Sequence, residues 1–250
     1  MKTETTWIEC NGARLYGELH IPDAVPAPAM LICHGMSRQG LHALKIYRQL
    51  SQTACKSGFT VFLFDFRGVG KSSGKFDYGF GEQQDVKCAL NYLAARPEVL
   101  PNSIFIVGHS LGGAVSLYAI RDDLRVKGLV LWSTPKNHTY NVKKFIIRTR
   151  GKTGWYMFLF FAQLNRFFGV SKLFKLEVYG IPLSPKEVRQ KLMQLDECKA
   201  ITQLHMPTLT VVGETDNIVD IDEARQVFLS ANEPKEFLII KSADHVYKGK

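Results

Sequence analysis

The chain has 250 residues, 46% hydrophobic and 22% charged, which is enough apolar material for a folded core and too little bias for disorder or a collagen-like repeat. Lys and Arg number 32 against 23 Asp and Glu, a net charge of +9, and nine of those cations with one acid fall between residues 136 and 180. The rest of the chain is close to neutral, so the charge marks one basic segment on a neutral body and no nucleic-acid partner is expected.

No window reaches the roughly 20 apolar residues of a membrane-spanning helix, since the longest run, residues 155–162, is cut off by Gln163, Asn165 and Arg166. The first residues carry no apolar signal region, which predicts a cytoplasmic protein. Five scattered cysteines (Cys10, Cys33, Cys55, Cys88, Cys198) with no C-x-x-C pair predict reduced thiols. Cys33 sits in an apolar run and reads as a buried structural thiol.

In chain order, residues 6–10 and 13–20 flank Asn11-Gly12 and predict a hairpin, because Asn-Gly supplies the positive φ angles of a tight turn. Short apolar runs then recur at 29–33, 60–64, 104–107, 128–132, 208–212 and 237–240, the pattern of strands buried on both faces. Amphipathic stretches at 43–56, 82–95, 111–122 and 221–231 separate them. Alternation of this kind predicts an α/β fold with a mostly parallel, doubly wound sheet behind an N-terminal antiparallel hairpin. Between Pro135 and about Met206 no core strand is evident. The expected organisation is therefore a core domain over residues 1–135 and 201–250, with a helical insertion over 136–200.

The sharpest motif is Gly108-His109-Ser110-Leu111-Gly112, which follows the run at 104–107 and opens a helical stretch. A serine on so tight a strand-to-helix turn is held in a strained conformation, and Gly108 and Gly112 leave room for the turn to close. The helix start behind it favours developing negative charge. A nucleophilic serine needs a base and an acid to orient it. His245 follows the last strand run by a short loop and Asp216 follows the run at 208–212, which gives the order Ser, Asp, His.

With these motifs the chain resembles the α/β-hydrolase superfamily, in particular the serine esterases and monoacylglycerol lipase-like acyl hydrolases, over nearly its whole length. The resemblance implies that His34-Gly35 opens an oxyanion loop, with the backbone N–H groups of Met36 and Leu111 as donors. Asp65-Phe66-Arg67-Gly68-Val69-Gly70-Lys71-Ser72 is similar to a turn of the same family, expected here to be architectural with Asp65 and Arg67 pairing locally. It also implies a C-terminal helix, whereas this chain stops five residues after His245; a truncated chain, a missing helix and another element over that sheet edge all stay open.

Two decoys fail on spacing. Gly70-Lys71-Ser72 would end a phosphate-binding loop only with glycine at position 65, where Asp65 stands, and a dinucleotide fingerprint would need its third glycine at Ser73. There is no H-E-x-x-H and no Cys/His cluster at ligand spacing, so neither cofactor nor metal is expected.

The family resemblance implies that the insertion is a lid. Seven of the 16 phenylalanines lie between 136 and 180, with Trp155, Phe158 and Phe161 taken as its substrate-binding side chains. Aromatic residues interleaved with Lys and Arg suit either plain lid core or contact with an apolar substrate or an anionic membrane surface, and both readings stay open. The expected function is a serine ester hydrolase for medium to long apolar acyl groups, acting through an acyl-enzyme. The alternatives are a thioesterase or acyltransferase on the same triad, or a non-catalytic binding protein using the basic lid.

Overall fold

The computed structural model describes residues 1–168 and 176–247. Strands β1 (Lys2–Cys10) and β2 (Ala13–Ile21) form the expected hairpin, with positive φ at Asn11 and Gly12. The remaining sheet strands are β3 (Ala27–Cys33), β4 (Thr60–Phe64), β5 (Val99–His109), β6 (Val126–Trp132), β9 (Thr208–Gly213) and β10 (Lys235–Ile240), in the order β1-β2-β4-β3-β5-β6-β9-β10. Within this sheet β1/β2 and β2/β4 pair antiparallel, and every pair from β4 to β10 in that order is parallel.

Both faces of this sheet are covered, which is why its strands read as unbroken apolar runs. Along β4 the side chains alternate: Val61 and Leu63 join Tyr47, Ala54 and Cys55 of α1 (Lys45–Lys56), while Phe62 and Phe64 join Val86 and Leu90 of α2 (Gly81–Ala94). Each of these strand side chains is at most 1% exposed, and burying one contributes about 2 kcal/mol. Helix α3 (Leu111–Ala119) follows β5 directly and is buried on nearly every side. Because β3 and β5 are adjacent and parallel, their carboxyl ends place the loops after Cys33 and His109 side by side, where ligands of open α/β sheets bind.

Between β6 and β9 the chain makes helix α4 (His138–Phe168), a two-stranded antiparallel pair β7 (Leu176–Val178) and β8 (Ile181–Leu183), and the short helices α5 (Pro185–Gln190) and α6 (Glu197–Ile201). No strand of the main sheet lies in this interval among the described residues. Gly151, at φ 70°, interrupts α4 and divides it into two helical pieces. The first piece is tied to the core by Lys144, whose Nζ donates to Asp220 Oδ2 (2.8 Å) and Glu223 Oε2 (3.0 Å) at the start of α7 (Ile221–Ser230).

Two expectations need correction. Cys10 and Cys88 are joined in a disulfide, Cα atoms 6.0 Å apart, because the end of β1 meets α2; a separation of 78 residues hides that contact from the sequence. Cys33 is buried as expected, and burial pushes its thiol up to about 12. Asp65 and Arg67 do not pair. Arg67 instead forks onto Asp85 of α2 (2.6 and 2.9 Å), while Asp65 accepts from the backbone N–H of Leu41 (2.7 Å) and Lys71 (2.8 Å), so the turn is anchored to two different neighbours.

Candidate active site

Ser110 has φ 51° and ψ −118°, a strained conformation for a residue with a side chain. The surroundings hold it there. Its N–H donates to Trp132 O of β6 (2.8 Å), and its carbonyl accepts from Gly113 (3.1 Å) and Ala114 (3.2 Å) in α3. A Cβ at Gly108 would lie 2.5 Å from Gly113 Cα, and one at Gly112 would lie 2.2 Å from Cys33 O, so backbone alone fills both positions.

Asp216 and His245 lie in the loops after β9 and β10. Asp216 Oδ2 accepts from His245 Nδ1 at 2.9 Å, and its Oδ1 accepts from the N–H groups of Ile218 and Val219, both at 2.9 Å. Burial alone would raise this carboxyl, but the bond from His245 and the two backbone donors prevail and hold it below the usual carboxylate range. The two loops are stitched together. Thr215 donates to Ala243 O through both N–H and Oγ1 (2.9 Å each), Ser242 N–H donates to Glu214 (2.7 Å), and a Cβ at Gly213 would sit 2.4 Å from Ala243 O. Past His245, Tyr247 packs on Trp132 and its hydroxyl lies 3.0 Å from Ser133 Oγ.

The third component is the loop after β3. Phe66 N–H donates to His34 Nε2 (3.1 Å), so the other ring nitrogen carries the proton and Nδ1 donates to Gly35 O (2.7 Å). Gly35 N–H donates to the Tyr47 hydroxyl (3.1 Å), which bonds His109 Nδ1 (2.7 Å), and His109 Nε2 meets His245 O at 3.1 Å. A carbonyl can only accept, so His109 holds its proton on Nε2 and Tyr47 donates to Nδ1. This buried chain runs from the loop bearing Met36 through the elbow to the loop bearing His245. Burial, reinforced by the charge of His245, pushes His109 down to about 3, so it serves as a neutral connector.

Ser110, Leu111, Met36 and His245 line one cavity of about 770 Å³. Leu111 opens α3, where first-turn N–H groups lack intrahelical partners, and Met36 N–H makes no backbone hydrogen bond among the described residues. Among the described residues, no direct hydrogen bond joins Ser110 to His245. Most of the remaining wall is apolar: Val142 and Phe145 of α4, Val178, Leu183, Leu192, Ile218 and Val246. A larger opening of about 1020 Å³ shares Arg38, Phe145 and Leu183 with it but contains neither Ser110 nor His245.

The insertion thus contributes to the cavity, though not through the expected side chains. Phe158 is fully buried, Trp155 and Phe161 pack against the core cluster, and none of the three lines either cavity. The helical register past Gly151 turns them inward and leaves Tyr156, Met157 and Phe160 at 68, 47 and 59% exposure. Sequence reasoning missed Tyr47, which stands in the first turn of α1 with no motif around it, and His138. For His138 the available signal was a histidine six residues past the end of β6, the strand next to the elbow.

Residues 24–162, more than half of the chain, match the family described as Serine aminopeptidase, S33. Among curated proteins the chain is 24% identical over 190 residues to the uncharacterized protein YfhR of Escherichia coli O157:H7, covering 75% of this chain and 54% of that one. It spans between 54 and 63% of the length of the first curated relatives it matches. Among solved structures it is similar to hypothetical protein PA2218 from Pseudomonas aeruginosa, with a TM-score of 0.80 at 18% identity over 99% of this chain and 88% of that one. The α/β hydrolase GrgF from Penicillium sp. sh18 has a TM-score of 0.75 at 19% identity, covering 98 and 91% of the two chains.

Proposed function

The chain belongs to the serine aminopeptidase S33 family of α/β hydrolases, and we propose that it is a serine hydrolase of carboxylic esters with an apolar, medium to long acyl group. The observation that carries this reading is the Asp216–His245 hydrogen bond facing the strained Ser110 elbow across one largely apolar cavity. Ser110 Oγ attacks the ester carbonyl as His245 Nε2 takes its proton. Asp216 fixes the imidazole and stabilises its cation, and the N–H groups of Met36 and Leu111 receive the oxyanion, each donor contributing about 3 kcal/mol. The alkoxide leaves with the proton held by His245, and water then releases the acyl group from Ser110 by the same steps.

An ester fits this cavity better than an amino-terminal peptide. A free α-ammonium calls for a carboxylate, and among the described residues lining the cavity there is no Asp or Glu, while Arg38 at its edge would repel a cation. The basic, aromatic surface of α4 supports a lid that approaches an anionic lipid surface, where such a substrate would collect. A series of p-nitrophenyl esters tests the reading. Turnover is expected to rise from acetyl to octanoyl and to vanish in Ser110→Ala, whereas a preference for acetyl esters would remove the apolar acyl group from it.

A further inference from the structure

A second histidine–carboxylate pair borders the catalytic cavity. His138, the first residue of α4, lines the same cavity as Ser110 and is 5% exposed. Its Nδ1 lies 2.7 Å from Oε1 of Glu197, the first residue of α6, and Glu197 is fully buried. The pair is mounted rigidly. His138 N–H donates to Leu195 O (3.1 Å), Glu197 and Cys198 N–H both donate to Lys136 O (3.1 and 3.2 Å), and Asn137 bridges to Asp196.

The chemistry of the pair exceeds what a staple between these segments requires. A buried carboxylate is expensive to desolvate, and Glu197 Oε2 has no partner among the described residues, so only the contact to His138 offsets its burial. An apolar pair would join α4 to α6 at lower cost. What the carboxylate does is fix the ring: Nδ1–H points at Glu197, which leaves Nε2 as the atom available to the cavity. A carboxylate behind the ring that fixes its orientation in this way is what a catalytic or binding imidazole needs.

We propose that His138 is a substrate-binding residue that selects esters bearing a hydroxyl group away from the scissile carbonyl, with Glu197 as its positioning residue. This rests on the ester-hydrolase reading above. A hydroxyl is the group that Nε2 can bond in either protonation state, accepting from the O–H when neutral and donating to its oxygen when charged. The wall around it, with Val142, Phe145 and Leu192, takes the apolar remainder. A polar site that loses its partner discriminates far more strongly than an apolar one that loses a methylene, so the preference is readable in kcat/KM.

The hydroxyl could sit on either side of the ester, and two arms separate the cases. One compares p-nitrophenyl octanoate with the p-nitrophenyl esters of hydroxyoctanoic acid isomers; the other compares butyl octanoate with the octanoate monoester of butanediol. In the intact chain one arm is expected to favour the hydroxyl-bearing ester by about tenfold in kcat/KM. That ratio should collapse towards one in His138→Leu, fall part of the way in Glu197→Gln, and be largely kept in His138→Gln, whose amide still bonds a hydroxyl. A variant that merely loosens the fold lowers both esters of a pair and leaves the ratio unchanged, so an unchanged ratio in His138→Leu overturns the proposal, as does a ratio near one in both arms of the intact chain. Turnover of plain octanoate by the intact chain reports on the ester reading separately; if no ester of either kind is turned over, that reading fails and this inference falls with it.

Discussion

Asp216 and Asp220 stand four residues apart and do different work. Asp216 spends both oxygens on His245 and two backbone donors, whereas Asp220 caps α7 by accepting from Glu223 N–H (2.9 Å) and pairs with Lys144. Asp216→Asn should therefore lower kcat by about four orders of magnitude with little change in stability, because the amide cannot hold the required tautomer. Asp220→Ala should leave kcat near normal and cost about 1 kcal/mol in stability, the worth of a helix cap. Steady-state kinetics alongside thermal melts separate the two, and a kinetic loss at Asp220 equal to that at Asp216 would contradict the assignment. His109 bears on pH. Its folded value is pushed down to about 3 from 6.5, so between those values the unfolded chain binds a proton that the folded chain refuses, and stability falls as pH drops through that window. Buried His34 is lowered too and adds the same sign. Melts from pH 7 down to pH 4 should show a steep acid loss in the intact chain and a shallower one in His109→Gln. The placement of Ser110, Asp216 and His245 on neighbouring loops was readable because strand, turn and chain order constrain it. Tyr47 was not, since its partners Gly35 and His109 meet it only in three dimensions.

At the scale of the element, helix α4 sets the lesson. Its apolar content was plain in the sequence, but which aromatics face inward depends on the phase of the helix after Gly151, and a one-turn periodicity broken by a positive-φ glycine does not carry its phase across the break. Hence Trp155, Phe158 and Phe161 turn to the core, while Tyr156, Met157 and Phe160 face outward. Nor are the cations of this helix equivalent: Lys144 is tied to Asp220 and Glu223 and belongs to the fold. The lipid-surface reading therefore predicts that Tyr156→Ser with Phe160→Ser weakens co-sedimentation with anionic vesicles several-fold. It also predicts that raising salt weakens binding of the intact chain, since charges near such a surface act within a Debye length of about 10 Å at 0.1 M. Equal binding to neutral and anionic vesicles at every salt concentration would leave Tyr156, Met157 and Phe160 without that role.

Across the whole molecule, the sheet is what makes the rest possible. The unbroken apolar runs of β3, β4, β5 and β6 were legible because parallel strands covered on both faces leave a simple pattern, and the strand boundaries differ from that reading mainly by extension at their ends. The disulfide between Cys10 and Cys88 and the Arg67–Asp85 fork were not legible, since each joins the turn or hairpin to a helix at a distance that only the assembled fold defines. Three separate carboxyl-end loops, after β3, β9 and β10, converge on the elbow after β5, and the buried line from Gly35 through Tyr47 and His109 to His245 locks two of them to it. The central claim is that this convergence makes Ser110 a nucleophile. Labelling the intact protein with a fluorophosphonate and mapping the adduct by peptide mass spectrometry tests it most directly. The adduct should sit on Ser110 alone and disappear in Ser110→Ala and on heat denaturation; an unlabelled protein, or an adduct that persists in Ser110→Ala, would contradict it.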